Sequence, residues 1–315
     1  MGAITTKADE RINQGKKTVQ EAFSLMTQKT ALSNQLNLKT NEIIHTTLLS
    51  NDTIAFACSH SIQVYSLPKF KRLVKIKYNS DNNILYLTHK DNNTIIAADD
   101  DNNIQVWTIQ DSKSILIKEF KAHFNIILKL LVLQNNYLIT CSIDQNFKVW
   151  DNEYKCIKEI QLNEVINNIY QLGNGNLLVF LGNGLLKIYD INDYDKVKEI
   201  NNVYCIGNDN IAELKDNRIM VYGHSLLIVN LKSMQIETTI LTRNHIFSLC
   251  VLNERNILLG LDKGDIMLFR TKNYKIKNLK LFAHGLVITK IIKITEQNYI
   301  TVSTDGVIKY WELLK

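Results

Sequence analysis

Asp144 lies with Ser142 and Trp150 in the stretch CSIDQNFKVWD, with His123 upstream, and could be a reactive carboxylate. The same groups can instead form a structural chain of hydrogen bonds that ends on an indole N–H. Spacing separates the two. The interval from His123 to Trp150 is the interval from His284 to Trp311, and Asp144 precedes Trp150 as Asp305 precedes Trp311, with Ser303 in the place of Ser142. Two segments that keep one constellation point to a repeated structural device that ties a turn to its sheet, and Asp144 reads as a turn-fixing residue.

Other candidates for chemistry are weaker. Asp99, Asp100 and Asp101 are consecutive carboxylates that could meet a cation, but Asp101 stands before Trp107 as Asp144 stands before Trp150. No metal site is expected. His60 in SHSI and His224 in GHSL read as turn residues whose exposure makes them candidates for contact. HExxH, EF-hand, P-loop and GxSxG patterns are absent. The glycine-bearing pieces at 173–176 and 182–184 fall in expected hairpin turns, not between a strand and a helix, so they are no phosphate cradle. No catalytic residue and no cofactor is expected.

The elements that position these residues come from a repeat. Aligned on the Trp of FKVWDN, equivalents occur at Tyr65, Trp107, Trp150, Tyr189, Val229, Phe269 and Trp311, a regular spacing of some forty positions. Within a unit, short apolar or alternating runs are separated by Asn, Asp and Gly turns; in the third unit these are NIILKLLVL, YLITCSI, FKVWD and CIKEIQL. That is the strand signal, four strands to a unit. The turns DDNN, DQN, GNG, DKGD and TDG before the aligned strand use residues that accept positive φ or bond their own backbone.

The pattern resembles the WD-repeat family of β-propellers over nearly the whole chain, and most closely in units three and seven. The resemblance implies an all-β fold, a seven-bladed propeller of four-stranded antiparallel blades, in which His123, Ser142, Asp144 and Trp150, and His284, Ser303, Asp305 and Trp311, are structural. Unit two keeps Asp101 and Trp107 but has Ser80 at the His position, and units four to six keep the strands and lose most of the polar network. It also implies a non-catalytic scaffold or adaptor that binds one or more proteins or peptides on rim loops. Rim candidates are His60, Asp100, Phe124, Gln145, Asn183, His224, Arg243 and Lys263. Relatives that serve as receptors for cullin-type ubiquitin ligases carry Arg where this chain has Glu153 and Leu314. Relatives that bind phosphoinositides carry adjacent arginines, which this chain lacks. A propeller hydrolase is the enzymatic alternative.

The last unit stops after its third strand, so a segment at about 34–40 is expected to supply the fourth and close the ring. Residues 32–315 then form the propeller, a monomer, and residues 1–31 a helical extension. Val19, Ala22, Phe23 and Met26 give that extension an apolar helical stripe, suited to packing on the propeller or to a partner. Gly2 and Thr6 match the N-myristoylation pattern, so a membrane-associated adaptor is a further alternative. No signal peptide or long apolar span is evident, and a cytoplasmic location is expected. The net charge of +6 comes mainly from scattered lysines, which argues against nucleic acid as partner. Cys58, Cys141, Cys156, Cys205 and Cys250 form no CxxC pair and read as small buried thiols.

Overall fold

The computed structural model describes residues 30–38, 43–78, 82–203, 211–223, 225–242, 244–272 and 274–313. All their regular structure is β. The chain opens with β1 (Thr30–Asn37). Blade one follows as β2 (Ile43–Ser50), β3 (Thr53–Cys58), β4 (Ser61–Ser66) and β5 (Arg72–Lys77). Blade two is β6 (Ile84–His89), β7 (Thr94–Asp99), β8 (Asn103–Gln110) and β9 (Lys113–Lys121). Blade three is β10 (Ile127–Val132), β11 (Leu138–Ser142), β12 (Asn146–Trp150) and β13 (Cys156–Gln161). Blade four is β14 (Ile166–Gln171), β15 (Leu177–Leu181), β16 (Leu186–Tyr189) and β17 (Lys196–Ile200). Blade five is β18 (Ile211–Leu214), β19 (Arg218–Tyr222), β20 (Ser225–Asn230) and β21 (Gln235–Leu241). Blade six is β22 (Ile246–Asn253), β23 (Asn256–Leu261), β24 (Asp265–Arg270) and β25 (Lys275–Phe282). Blade seven has β26 (Ile288–Lys293), β27 (Asn298–Ser303) and β28 (Val307–Leu313).

Seven four-stranded antiparallel sheets result, and the seventh is completed by β1 on the edge of β28, in the order β1-β28-β27-β26. Chain start and chain end thus share one sheet, with Thr30 opposite Leu313 and Asn37 opposite Val307. The closing strand begins at Thr30, earlier than the 34–40 expected. Its sequence TALSNQLN carries little apolar pattern because an outer strand faces solvent, and it must match the whole of β28 with a bulge between Leu32 and Asn34. Thr30 and Ala31, assigned by the sequence reading to the helical extension, are strand. The rest of that expected helix, including Gly2, lies outside the described residues.

The blades are held to one another by apolar side chains. Seven buried clusters form, one at each junction: Ile62, Val64 and Ile84 between blades one and two, for example, and Phe56, Ile300 and Val302 between seven and one. Phe56, Phe147, Phe180 and Phe269 are fully buried, each contributing about 1.5–3 kcal/mol of burial free energy. In six blades a β-bulge follows the first residue of the inner strand.

The turn between second and third strands, five positions ahead of the aligned aromatic or Val, is one device repeated round the ring. Asn102, Gln145, Gly184, Gly264 and Gly306 all have positive φ there. Their carbonyls accept from Ala122, Leu162, Val203, Ala283 and Leu38 N–H respectively, and His60 accepts from Tyr78 in blade one. Each turn is thereby tied to the end of the outer strand of its own sheet. These turns and the loops that lead to the next blade share one face, because consecutive strands alternate in direction.

Candidate functional site

In blade three the polar chain closes around Thr140. Trp150 Nε1 donates to Thr140 Oγ1 at 3.0 Å, Thr140 Oγ1 meets His123 Nε2 at 2.6 Å, and His123 Nδ1 meets Asp144 Oδ2 at 2.9 Å. The carboxylate also accepts from Phe124 N–H at 3.3 Å and Asn146 N–H at 3.1 Å. The partners assign the protons: the indole N–H occupies one lone pair of the hydroxyl, whose own hydrogen goes to a neutral His123 Nε2, leaving Nδ1–H to donate to Asp144. Burial holds the His123 imidazole below its ordinary value against the pull of the Asp144 carboxylate, consistent with that neutral tautomer.

Ser142, expected in this chain, is not its hydroxyl. Its Oγ donates to Asn125 O at 2.8 Å and accepts from Asp144 N–H at 3.1 Å, locking the turn beneath the carboxylate. Ser142 and Thr140 share a face of β11 two positions apart, so spacing alone did not separate them. Blade seven repeats the arrangement. Trp311 Nε1 donates to Thr301 Oγ1 at 2.9 Å, Thr301 meets His284 Nε2 at 2.6 Å, and His284 Nδ1 lies 3.5 Å from Asp305 Oδ2. Ser303 again accepts from the Asp N–H, at 3.2 Å. Burial pushes His284 down to about 4. Burial also pushes the Asp305 carboxyl up, but N–H bonds from Val307 and Gly285 outweigh it and hold Asp305 below its ordinary value.

Blades without this network lack both the His and the hydroxyl of the residue ten before the aligned aromatic or Val. That residue is Thr140 and Thr301 in blades three and seven, but Ala55, Ala97, Val179, Ile219 and Leu259 elsewhere, all fully buried. In blade two Trp107 Nε1 is buried with no hydrogen-bond partner among the described residues, because Ala97 offers no acceptor. The turn carboxylate there is Asp99, not Asp101 as aligned: Asp99 Oδ1 accepts from Asp101 N–H at 3.1 Å and Asn103 N–H at 2.8 Å. Ser80 lies outside the described residues.

The rim candidates sort by what holds them. His60 and Gln145 occupy the repeated turn position, and His60 Nδ1 lies 3.1 Å from Asn82 O. Asp100 accepts from Asn83 N–H and Nδ2–H, at 3.1 and 2.9 Å. Asn183 caps its turn, accepting from Leu185 N–H at 3.1 Å. Lys263 is exposed, and Phe124 is 88% exposed. His224 and Arg243 lie outside the described residues. Sequence reading missed Leu241, 85% exposed, and Leu286, 53% exposed, on the same face. The available signal was a large apolar residue at a strand end or in a loop, directly after His284-Gly285 in one case.

Among the described residues no three His, Cys, Asp or Glu side chains gather to hold a metal, and no helix is long and apolar enough to cross a membrane. Cys58, Cys141 and Cys250 are buried, with burial pushing their thiols up, whereas Cys156 is exposed on the solvent face of β13. Cys205 lies outside the described residues.

The ring of seven blades and the two His–Thr–Trp chains define a repeat propeller whose polar chemistry is spent inside its own sheets. A comparison with protein families agrees: residues 114–151 match the model described as WD domain, G-beta repeat. That span runs from β9 to just past the end of β12, an outer strand followed by three strands of the next blade. That match and the seven-bladed ring together support a WD-repeat β-propeller, a fold that generally mediates protein–protein interaction and is typically non-catalytic. No curated protein matches the chain.

Proposed function

We propose that this propeller is a non-catalytic interaction platform, an adaptor of the cytoplasm, that binds a protein or peptide on the face bearing the repeated turns. One observation carries the reading: the loops fixed by the polar chains are loops that present exposed apolar side chains. Asp144 holds Phe124 N–H, and Asp305 holds Gly285 N–H at 3.1 Å, one residue before Leu286. Exposed apolar side chains on loops of fixed conformation lose little entropy on binding and act as anchors. A hydrolase reading would call for converging carboxylates or histidines open to a substrate, whereas the two network histidines are buried and each is turned onto a Thr of its own blade.

The test is affinity purification with mass spectrometry, comparing the wild type with Phe124→Ala/Leu286→Ala/Lys263→Ala. A partner bound by this face is recovered by the wild type and lost by the triple variant, while the melting temperature stays the same. Recovery of the same partners by both proteins would refute the assignment of the face.

A further inference from the structure

Residues 53–80 contain no Asp or Glu, while Lys69, Lys71, Arg72, Lys75 and Lys77 crowd into residues 69–77. All of these cations are exposed, and none makes an ion pair among the described residues. They run along the outer edge of blade one, with Lys69 and Lys71 in the turn after β4 and the others on β5, the last strand of its sheet. β5 alternates: Val74 and Ile76 are buried at the junction with blade two, and Leu73, Lys75 and Lys77 are exposed. Lys75 stands opposite Gln63 and Lys77 opposite Ser61, so β4 offers them no carboxylate. Asp52, the acid just before this stretch, is held by the hydroxyls of Ser50 and Thr53.

Lysines commonly guard a free sheet edge against pairing. The outer strands of blades two to five are free edges too, yet each carries a carboxylate that a neighbour holds. Glu119 accepts from Gln105 Nε2 at 2.7 Å, and Glu159, Glu199 and Glu237 pair with Lys148, Lys196 and Arg218 at 3.5, 2.8 and 3.0 Å. β1, the edge of blade seven, has no charged residue. β25 of blade six has lysines without a carboxylate, and its side chains from Ile276 onward lie outside the described residues. Along β5, over about 20 Å, a row of like charges is left unneutralised, and their mutual repulsion is relieved by an anionic partner. We propose that β5 takes an extended acidic segment of a partner protein as a fifth strand of blade one. The N–H and C=O groups of β5 that point away from β4 meet no other strand and supply the main-chain bonds. Lys75 and Lys77 are two positions apart, the side-chain period of an added strand, so acids at alternate positions each come beside a lysine. Leu73, 39% exposed, takes an apolar neighbour at the other end of the strand. The charges follow a single strand, which suits one extended chain better than a flat membrane surface. This edge lies on the side wall of the ring, apart from the face that bears Phe124 and Leu286.

The test uses the full chain and fluorescence anisotropy with a labelled peptide of alternating glutamate and valine. Saturable binding is expected, with no binding of the corresponding lysine–valine peptide. Lys75→Glu/Lys77→Glu is expected to weaken the acidic peptide about tenfold or more with the melting temperature unchanged, since both side chains are exposed. Methylating the backbone nitrogens of the peptide, which removes its donors to β5, is expected to weaken it as much. Phe124→Ala/Leu286→Ala is expected to leave binding unchanged, so this edge and the face proposed above can each fail alone. Absence of saturable binding, equal binding of the lysine peptide, indifference to the charge reversals or to methylation, or loss in the Phe124/Leu286 variant would each overturn the proposal. Recruitment to phosphatidylserine vesicles or to single-stranded DNA with no peptide binding would overturn it in favour of a membrane surface or a nucleic acid.

Discussion

Thr140→Val tests the polar chain at its centre. Thr and Val have nearly the same shape, so the substitution keeps the packing of a fully buried site and removes only the hydroxyl. Two groups then lose their partner at once: Trp150 Nε1, at 3.0 Å, and His123 Nε2, at 2.6 Å. Each buried unsatisfied group costs about 1–3 kcal/mol, so the expected loss for the two is about 2–6 kcal/mol. Thr140→Ser keeps the oxygen and drops one methyl, a loss of about 1 kcal/mol. Ser142→Ala, which removes bonds to Asn125 O and from Asp144 N–H, costs about 1 kcal/mol as well. Urea unfolding followed by circular dichroism gives the three values. The decisive feature is order, because burial of apolar area alone ranks Val above Ser at this position, whereas the hydrogen-bond chain ranks Ser above Val. A Thr140→Val protein as stable as the Thr140→Ser protein would refute the chain as a source of stability.

Three further outcomes concern other positions. Because burial holds His123 and His284 below their ordinary value of 6.5, to about 4 for His284, the unfolded chain binds protons in that window and the folded one does not. Stability is then full above about 6.5 and falls as pH drops towards about 4; a urea midpoint that stays flat or rises over that range would contradict it. Ala97→Ser supplies the acceptor that Trp107 Nε1 lacks and is expected to raise stability by about 0.5–1.5 kcal/mol, whereas a lower urea midpoint would show that the indole is satisfied otherwise. Gly264→Ala is expected to cost about 2–4 kcal/mol, since its φ is positive and the added Cβ would run into the His284 carbonyl. Gly306→Ala, with a similar φ and a tight but milder approach of 3.2 Å to Leu38 O, should cost about 1–2 kcal/mol, and equal melting temperatures for the two would remove the packing argument.

The blades were legible in the sequence because each is a short-range pattern. Apolar runs, Asn-Asp-Gly turns and the regular spacing all lie within one unit, and each aligned residue falls on a third strand. What failed was information that is not periodic. TALSNQLN looks like linker because an outer strand needs no apolar face, and its partner β28 is nearly the whole chain away. Ser142 and Thr140 are both hydroxyls on the same side of one strand, and only the distance to the indole tells them apart. Asp99 rather than Asp101 fixes the blade-two turn because the chain has three successive carboxylates and local backbone geometry picks one. Among rim candidates, polar residues were favoured, yet several of these bond their own turns, while Phe124, Leu241 and Leu286 are large, apolar and exposed on the same face.

A single buried position explains how the units can diverge without the ring failing. Where the residue ten before the aligned aromatic is Thr, the aromatic is Trp, whose N–H needs the hydroxyl. Where it is Ile or Leu, the partner is Val229 or Phe269, which brings no donor into the core. In blade one Tyr65 pairs with Ile54, on the face opposite Ala55, and satisfies its hydroxyl on Gln63 at 2.9 Å instead. The pair is polar on both sides in blades three and seven and on neither in blades five and six, while blade four sets Tyr189 against Val179; an unmatched donor costs more than an absent one. Blade two bears that cost, with Trp107 kept and its acceptor gone. The polar chain can therefore be lost from a blade, since junction packing still closes the ring. Where it is kept, its carboxylate also fixes the backbone at Phe124 and just before Leu286, although Leu241 is exposed on the same face without one.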